Sequence, residues 1–151
     1  MRATTVREAT LADAAALAAL VTELGYPTRP VEMTERLDGL LADPNYAAFV
    51  AERESALLGL GGASLGRYFE KNGLYARLVV LVVAEASRGL GVGEALVRAI
   101  ERWARSRGAR ELFVNSGNQR QGAHRFYERC GFQITGIRLV KGLKAAGDMC
   151  S

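Results

Sequence analysis

A mixed α/β fold is what this 151-residue sequence predicts, on three observations. The apolar run Leu78–Ala84 reads as a buried strand that passes straight into a glycine-rich turn. A helix follows, with Val92, Leu96, Ile100 and Trp103 at helical spacing. Leu112–Val114 then returns as a second strand, parallel to the first through a right-handed crossover.

Local signals place the remaining elements. Thr4–Glu8 reads as a first strand, and Thr10, with Asp13 three residues on, caps a helix that runs to about Leu24. Gly25-Tyr26-Pro27 breaks it, and a second helix over Val31–Leu41 closes at Asp43-Pro44. Tyr46–Glu52 and Ala56–Leu65 form an antiparallel hairpin around the polar turn Arg53-Glu54-Ser55, and the long strand Tyr75–Val83 follows. Gly108 ends the helix after the glycine turn, whose wet side carries Glu94 with Arg98 and Glu101 with Arg105, pairs worth about 0.2–0.5 kcal/mol each. A last helix spans about Gln121–Cys130, with Ala123, Phe126, Tyr127 and Cys130 on one face and Gly131 as a left-handed cap. Phe132–Arg138 and Leu139–Leu143 are expected to complete the sheet.

Composition points to one domain over residues 1–151, because 49% apolar content fills a single core and no linker or repeat divides the chain. The longest apolar run is far too short to span a bilayer, and Asp13 and Glu23 bracket the alanine-rich segment, which reads as a helix rather than a leader. The net charge of +4 is interspersed, so a nucleic-acid partner is not expected, while a polyanionic ligand gains from it. Two cysteines, Cys130 and Cys150, make no disulfide framework, and one histidine anchors no metal cluster. The expectation is a metal-free, cytoplasmic protein.

The glycine turn carries the chemistry. Gly89, Gly91 and Gly93 let the backbone approach a ligand, and the amides opening the next helix lack intrahelical partners. Such a helix start attracts a phosphate-type anion. A P-loop needs Gly-Lys-Ser/Thr, which is absent, and the dinucleotide pattern fails because its last position falls on Glu94 or Leu96. The pattern that stands is Arg88-x-x-Gly91-x-Gly93. It resembles the Q/R-x-x-G-x-G/A acetyl-CoA loop of the GCN5-related N-acetyltransferases (GNAT). The segment from Asn118 to Phe132, with Ala123, Tyr127, Glu128, Gly131 and Phe132, is similar to that family's A-x-x-x-Y-E-x-x-G-F element. The two motifs cover about residues 78–132, and the N-terminal half adds no family-specific motif.

The resemblance implies a GNAT acyl-CoA N-acyltransferase fold: a mixed sheet of about seven strands, about four helices, and splayed parallel strands at the coenzyme site. It implies acetyl-CoA as co-substrate and direct transfer of the acetyl group, in a ternary complex, to a primary amine of a small molecule or peptide. The pantetheine arm would run along the backbone of Leu81, Val82 and Val83. The pyrophosphate would meet amides of Gly89, Leu90, Gly91, Val92, Gly93 and Glu94, with Arg88 adding charge. Arg120 and Arg125 are further phosphate candidates, although a solvated arginine on a helix is commoner. Tyr127 is the implied general acid, since a phenol of pKa near 10 suits a thiolate leaving group; His124 reads as a surface or supporting residue.

No carboxylate occurs on Ala76–Val83, so no general base is assigned. Deprotonating an ordinary amine at pH 7 costs about 4.6 kcal/mol. Ordered water, Glu54, Glu70, Glu111 or an amine of low pKa stay open as the means. That gap also motivates an alternative of another class, a catalytically degenerate acyl-CoA sensor or interaction module. Acceptor-lining candidates, placed by the resemblance, are Tyr26, Arg29, Glu32, Tyr68, Phe69 and Glu70. Aromatic and acidic groups suit a cationic amine, whereas Arg29 and Arg77 suit a carboxylate. A homodimer through a C-terminal edge strand is also expected.

Overall fold

The computed structural model describes residues 3–115, 121–136 and 138–143. The chain divides into two compact units, residues 1–114 and 115–151. In the first unit the order is β1 (Thr5–Glu8), α1 (Ala14–Leu24), α2 (Pro30–Ala42), β2 (Tyr46–Arg53), β3 (Ala56–Arg67), β4 (Leu74–Val83), α3 (Val92–Ser106) and β5 (Ala109–Val114). The five strands form one sheet in sequential order. β1 to β4 pair antiparallel as a meander, and β5 lies parallel to β4 after the α3 crossover.

The helices cover opposite faces of the sheet. Leu17, Leu20, Met33 and Leu37 of α1 and α2 pack on Val50, Leu60 and Val82. On the other face Val92 and Leu96 of α3 pack with Ala51, Phe49, Leu81 and Val83. Each large side chain so buried contributes roughly 1.5–3 kcal/mol. The run Gly59-Leu60-Gly61 explains how α3 sits so low. A Cβ at Gly59 would come within 2.9 Å of the Val82 carbonyl and 3.0 Å of Leu96, and one at Gly61 within 3.0 Å of Ile100.

Local chemistry sets the helix ends as the sequence indicates. The Asp13 carboxylate accepts the Thr10 N–H at 2.8 Å, although a single 3-10 turn, Leu11–Asp13, precedes α1. Gly25 closes α1 at φ +120°, with the Tyr26 N–H reaching back to Val21. Glu54 and Ser55 take positive φ values, 51° and 69°, in the two-residue turn between β2 and β3.

The second unit contains α4 (Gln121–Arg129). Gly131 takes φ +96° and donates to the Glu128 carbonyl, while Phe132 donates to Tyr127 at 2.9 Å, the paired bonds of a left-handed helix stop. The expected strands Phe132–Arg138 and Leu139–Leu143 are corrected: residues 132–136 and 138–143 carry no regular secondary structure. Gly136 and Gly142 interrupt the apolar runs there, and a short isolated hairpin is only marginally stable. The described sheet therefore has five strands rather than about seven. Arg120, Cys150 and the tail 144–151 lie outside the described residues.

One ion cluster joins β1, β2 and the start of α1. Arg7 donates to Asp13 at 2.8 and 2.9 Å and to Glu52 at 3.0 Å. Asp13 is buried, and the Arg7 guanidinium holds its carboxyl below the usual carboxylate range despite that burial. A depressed folded-state pKa gives stability that is present above the unfolded value near 3.9 and is lost as pH falls through the folded value. Asp13→Asn should cost about 2 kcal/mol at pH 7 and flatten the acid limb of stability, measured by urea unfolding between pH 7 and pH 3.

Candidate active site

β4 is the strand on which the site is built. It pairs with β3 along its length, from Arg67↔Leu74 to Gly59↔Val83. With β5 it pairs only from Leu74 to Leu78, where Leu78 faces Val114. Among the described residues, the β5-side edge from Val79 to Val83 is open. The β3 register also slips at this point, from Gly62↔Val80 to Ala63↔Leu78, which leaves Val79 as a bulge. A bulge where lateral pairing stops re-aims the strand and leaves backbone groups unmatched, and an extended amide-bearing chain can satisfy them.

The open edge leads into the glycine turn. Ala84 donates to Leu58, and a 3-10 turn, Glu85–Ser87, follows. Glu23 of α1 accepts the Glu85 N–H at 2.6 Å, a cross-link that the sequence did not announce. Gly89 and Gly91 take φ +83° and +81°, and nothing lies within 4 Å of where their Cβ atoms would stand. They are needed for backbone conformation rather than for lack of space. The first bond within α3 runs from Ala95 N–H to Gly91 O, and no side chain caps the helix. The amides of Val92, Gly93 and Glu94 therefore have no acceptor within the helix.

The predicted coenzyme residues divide by what their side chains do. The side chains of Leu81, Val82, Val83 and Val92 are packed in the core, so what these residues could offer a ligand is their backbone. Leu90 is exposed, and Arg88 reaches back to the Val83 carbonyl at 3.4 Å. The Glu94 carboxylate is engaged by Arg98 at 2.6 Å, leaving its amide as the useful group.

Other candidates sort as clearly. Glu32 accepts the Arg29 N–H at 2.8 Å, and that bond draws its pKa down, so it serves the start of α2. Tyr26 and Phe69 are strongly exposed. Glu111 accepts the Tyr68 hydroxyl and an ammonium hydrogen of Lys71 at 3.3 Å, and these bonds lower its pKa. A carboxylate held in that way is a weak proton acceptor. Glu54 occupies the β2–β3 turn, and Glu70 is exposed.

In the second unit Tyr127 is half-buried and lies edge-on to Phe126 and Phe132, with ring centroids 5.3 and 5.6 Å away. Those contacts fix the ring plane. His124 is half-buried on the same helix, and Arg125 is exposed.

Residues 14–132 match the Acetyltransferase (GNAT) family. The chain belongs to the GNAT family. It is an acetyl-CoA-dependent N-acetyltransferase, and these relatives lend no support to the sensor alternative. An aminoglycoside N(6′)-acetyltransferase type 1 from Stenotrophomonas maltophilia is 36% identical over 138 residues, 88% of each chain. A GNAT family acetyltransferase of Staphylococcus aureus has TM-score 0.81 at 25% identity, covering 95% of this chain and all of its own. An aminoglycoside N-acetyltransferase solved in complex with CoA shares the fold at TM-score 0.84 and 20% identity, covering 95% of this chain and 96% of its own. No described helix is long and apolar enough to cross a membrane.

Tyr68 offers a direct check on the electrostatics. Desolvation first, then the Glu111 bond and charge, push its phenol up to about 12. In ultraviolet difference titration one tyrosine should ionise near that value, and Glu111→Gln should move this step down towards 10.

Proposed function

We propose that this GNAT enzyme transfers acetyl from acetyl-CoA directly to the primary amine of a small molecule. The observation that carries the reading is the open β4 edge running from the Val79 bulge into an uncapped helix start. The pantetheine amides would pair with the backbone of Leu81, Val82 and Val83 as an added strand. The pyrophosphate would take the amides of Gly89 through Glu94, with Arg88 adding charge. The small-molecule class is supported by the Stenotrophomonas relative, whose name gives an aminoglycoside as its acceptor. One catalytic domain spanning both units is consistent with the family match over residues 14–132. We place the enzyme in the cytoplasm, and its association as a homodimer is part of the proposal.

In the reaction the neutral amine attacks the thioester carbonyl, and a C–N bond forms. The tetrahedral intermediate collapses with cleavage of the C–S bond. The nitrogen loses its proton to solvent, and the leaving thiolate takes one from Tyr127, whose phenolate regains a proton from solvent. The products are the N-acetylated amine and free CoA.

Three measurements test this. Gly91→Glu places a bulky anion in front of the free amides, and calorimetry on the folded variant should show acetyl-CoA binding lost; unaltered affinity refutes the loop assignment. Tyr127→Phe should lower kcat by roughly 10²–10⁴ with coenzyme affinity nearly unchanged. A tyrosine that only packs would lose about 1 kcal/mol of stability and keep its rate. Because β4 carries no carboxylate, kcat/KM should rise about tenfold per pH unit until the pKa of the acceptor amine itself. A plateau well below that pKa would reveal a base on the enzyme.

A further inference from the structure

The two faces of β4 differ in what they leave accessible around its open edge. Leu81 and Val83 pack under α3, which closes one face. On the other, Val80 and Val82 lie under α1 and α2. Val79, at the bulge, is 50% exposed, so the covering helices leave this point of the strand accessible.

Tyr75 and Arg77 belong to this second face. A Cβ on Gly62 would meet the Val80 side chain, and one on Gly66, four residues along β3, would meet the Tyr75 ring. Alternation along β4 then puts Arg77 beside Tyr75, and across the strand pairs Arg77 faces Ser64 and Phe113. The Arg77 guanidinium lies 5.9 Å from the Tyr75 ring centroid. Tyr75 in turn contacts Tyr68 and Phe113 at 5.2 and 5.5 Å.

Arg77 is half-buried, and neither a hydrogen bond nor an ion pair joins it to another described residue. The nearby carboxylate of Glu111 is already taken by Tyr68 and Lys71. A partly desolvated guanidinium on an aromatic floor, two strand residues or about 7 Å from the bulge, has five donors and lacks an oxyanion.

We propose that Arg77 binds an anionic group of the acceptor, so that the substrate is a primary amine bearing a carboxylate or a phosphate rather than a polycation. This rests on the coenzyme and acetyl-transfer reading above and narrows its acceptor class. The bidentate geometry of arginine suits either anion, and the positive charge disfavours a polyamine by direct repulsion.

The test uses the full-length protein and matched amines: amino acids of increasing chain length against their amides, an amino-sugar phosphate against the free amino sugar, and an aminoglycoside. Turnover is read as CoA release, and binding of each amine to CoA-loaded protein is read by calorimetry. The anionic member of a pair should be favoured by roughly 10- to 100-fold in kcat/KM or affinity, and the pair that shows it identifies carboxylate or phosphate as the source. Arg77→Met, which keeps the stem over Tyr75, should collapse that ratio towards one while acetyl-CoA affinity is retained. Should the Met variant fold poorly, Arg77→Gln reads the same ratio. Equal use of paired amines, preference for the aminoglycoside, or a preference that survives loss of the charge overturns the proposal. So does binding of acetyl-CoA with none of the anionic amines bound or acetylated. Failure to bind acetyl-CoA at all would instead overturn the coenzyme site.

Discussion

The close seat of α3 on the glycines of β3 is the constraint from which the rest of the first unit follows. With no side chain at Gly59 or Gly61, Val92, Leu96 and Ile100 press onto the backbone of the sheet. That contact fixes the first turn of α3 relative to the end of β4. The three amides that lack an acceptor within the helix and the strand edge that is open among the described residues are thereby held in one arrangement. A side chain at Gly59 would push against the Val82 carbonyl and the helix together, so core packing and the geometry of the proposed coenzyme site share one cause.

β4 meets three demands with ten residues. Val82 and Val80 support α1 and α2, Leu81 and Val83 support α3, and the backbone edge between them is left for a ligand. Alternation makes this possible, because side chains leave the strand through its faces while amides and carbonyls leave through its edges. The bulge at Val79 marks where β4 stops being paired on both edges and keeps β3 alone, among the described residues. Glu23 adds a tie from α1 to the turn beyond β4, so α1 is bonded to the segment that leads to the uncapped start of α3.

Legibility in the sequence followed how local each determinant is. The boundaries of α2, α3 and α4 and the end of α1 are set by caps and glycines within a few residues, and the structure moves them by no more than one or two positions; α1 itself begins three residues late, at Ala14, after the 3-10 turn Leu11–Asp13. Gly89 and Gly91 were readable because positive φ leaves a glycine signature. The Val79 bulge, the end of pairing at Leu78 and the Glu23–Glu85 bond depend on partners up to 62 residues distant, and nothing in the local pattern encodes them. The glycines of β3 were visible, yet their meaning required knowing which helix lies above. The expected C-terminal strands rested on apolar alternation, which reports suitability for a sheet but supplies no partner. The Arg7–Asp13–Glu52 cluster is only partly legible, since the sequence marks Asp13 at a helix start but gives no sign of Arg7 and Glu52 as its partners.

The missing carboxylate on β4 and an Arg77 that has no ion pair among the described residues bear on the same question of charge. A carboxylate on that face would neutralise the guanidinium and favour a cationic acceptor; without one, the face keeps a net positive group beside the bulge. Positive charge near an ammonium also disfavours its charged form and lowers the pKa of the bound amine, which eases the proton loss that attack requires. The anionic group of the acceptor would offset that repulsion in binding and, by pairing with the guanidinium, would also weaken its pull on the amine's proton. On the reading proposed above, an arginine at position 77 would thus act on which acceptor binds more than on the proton that its amine must lose.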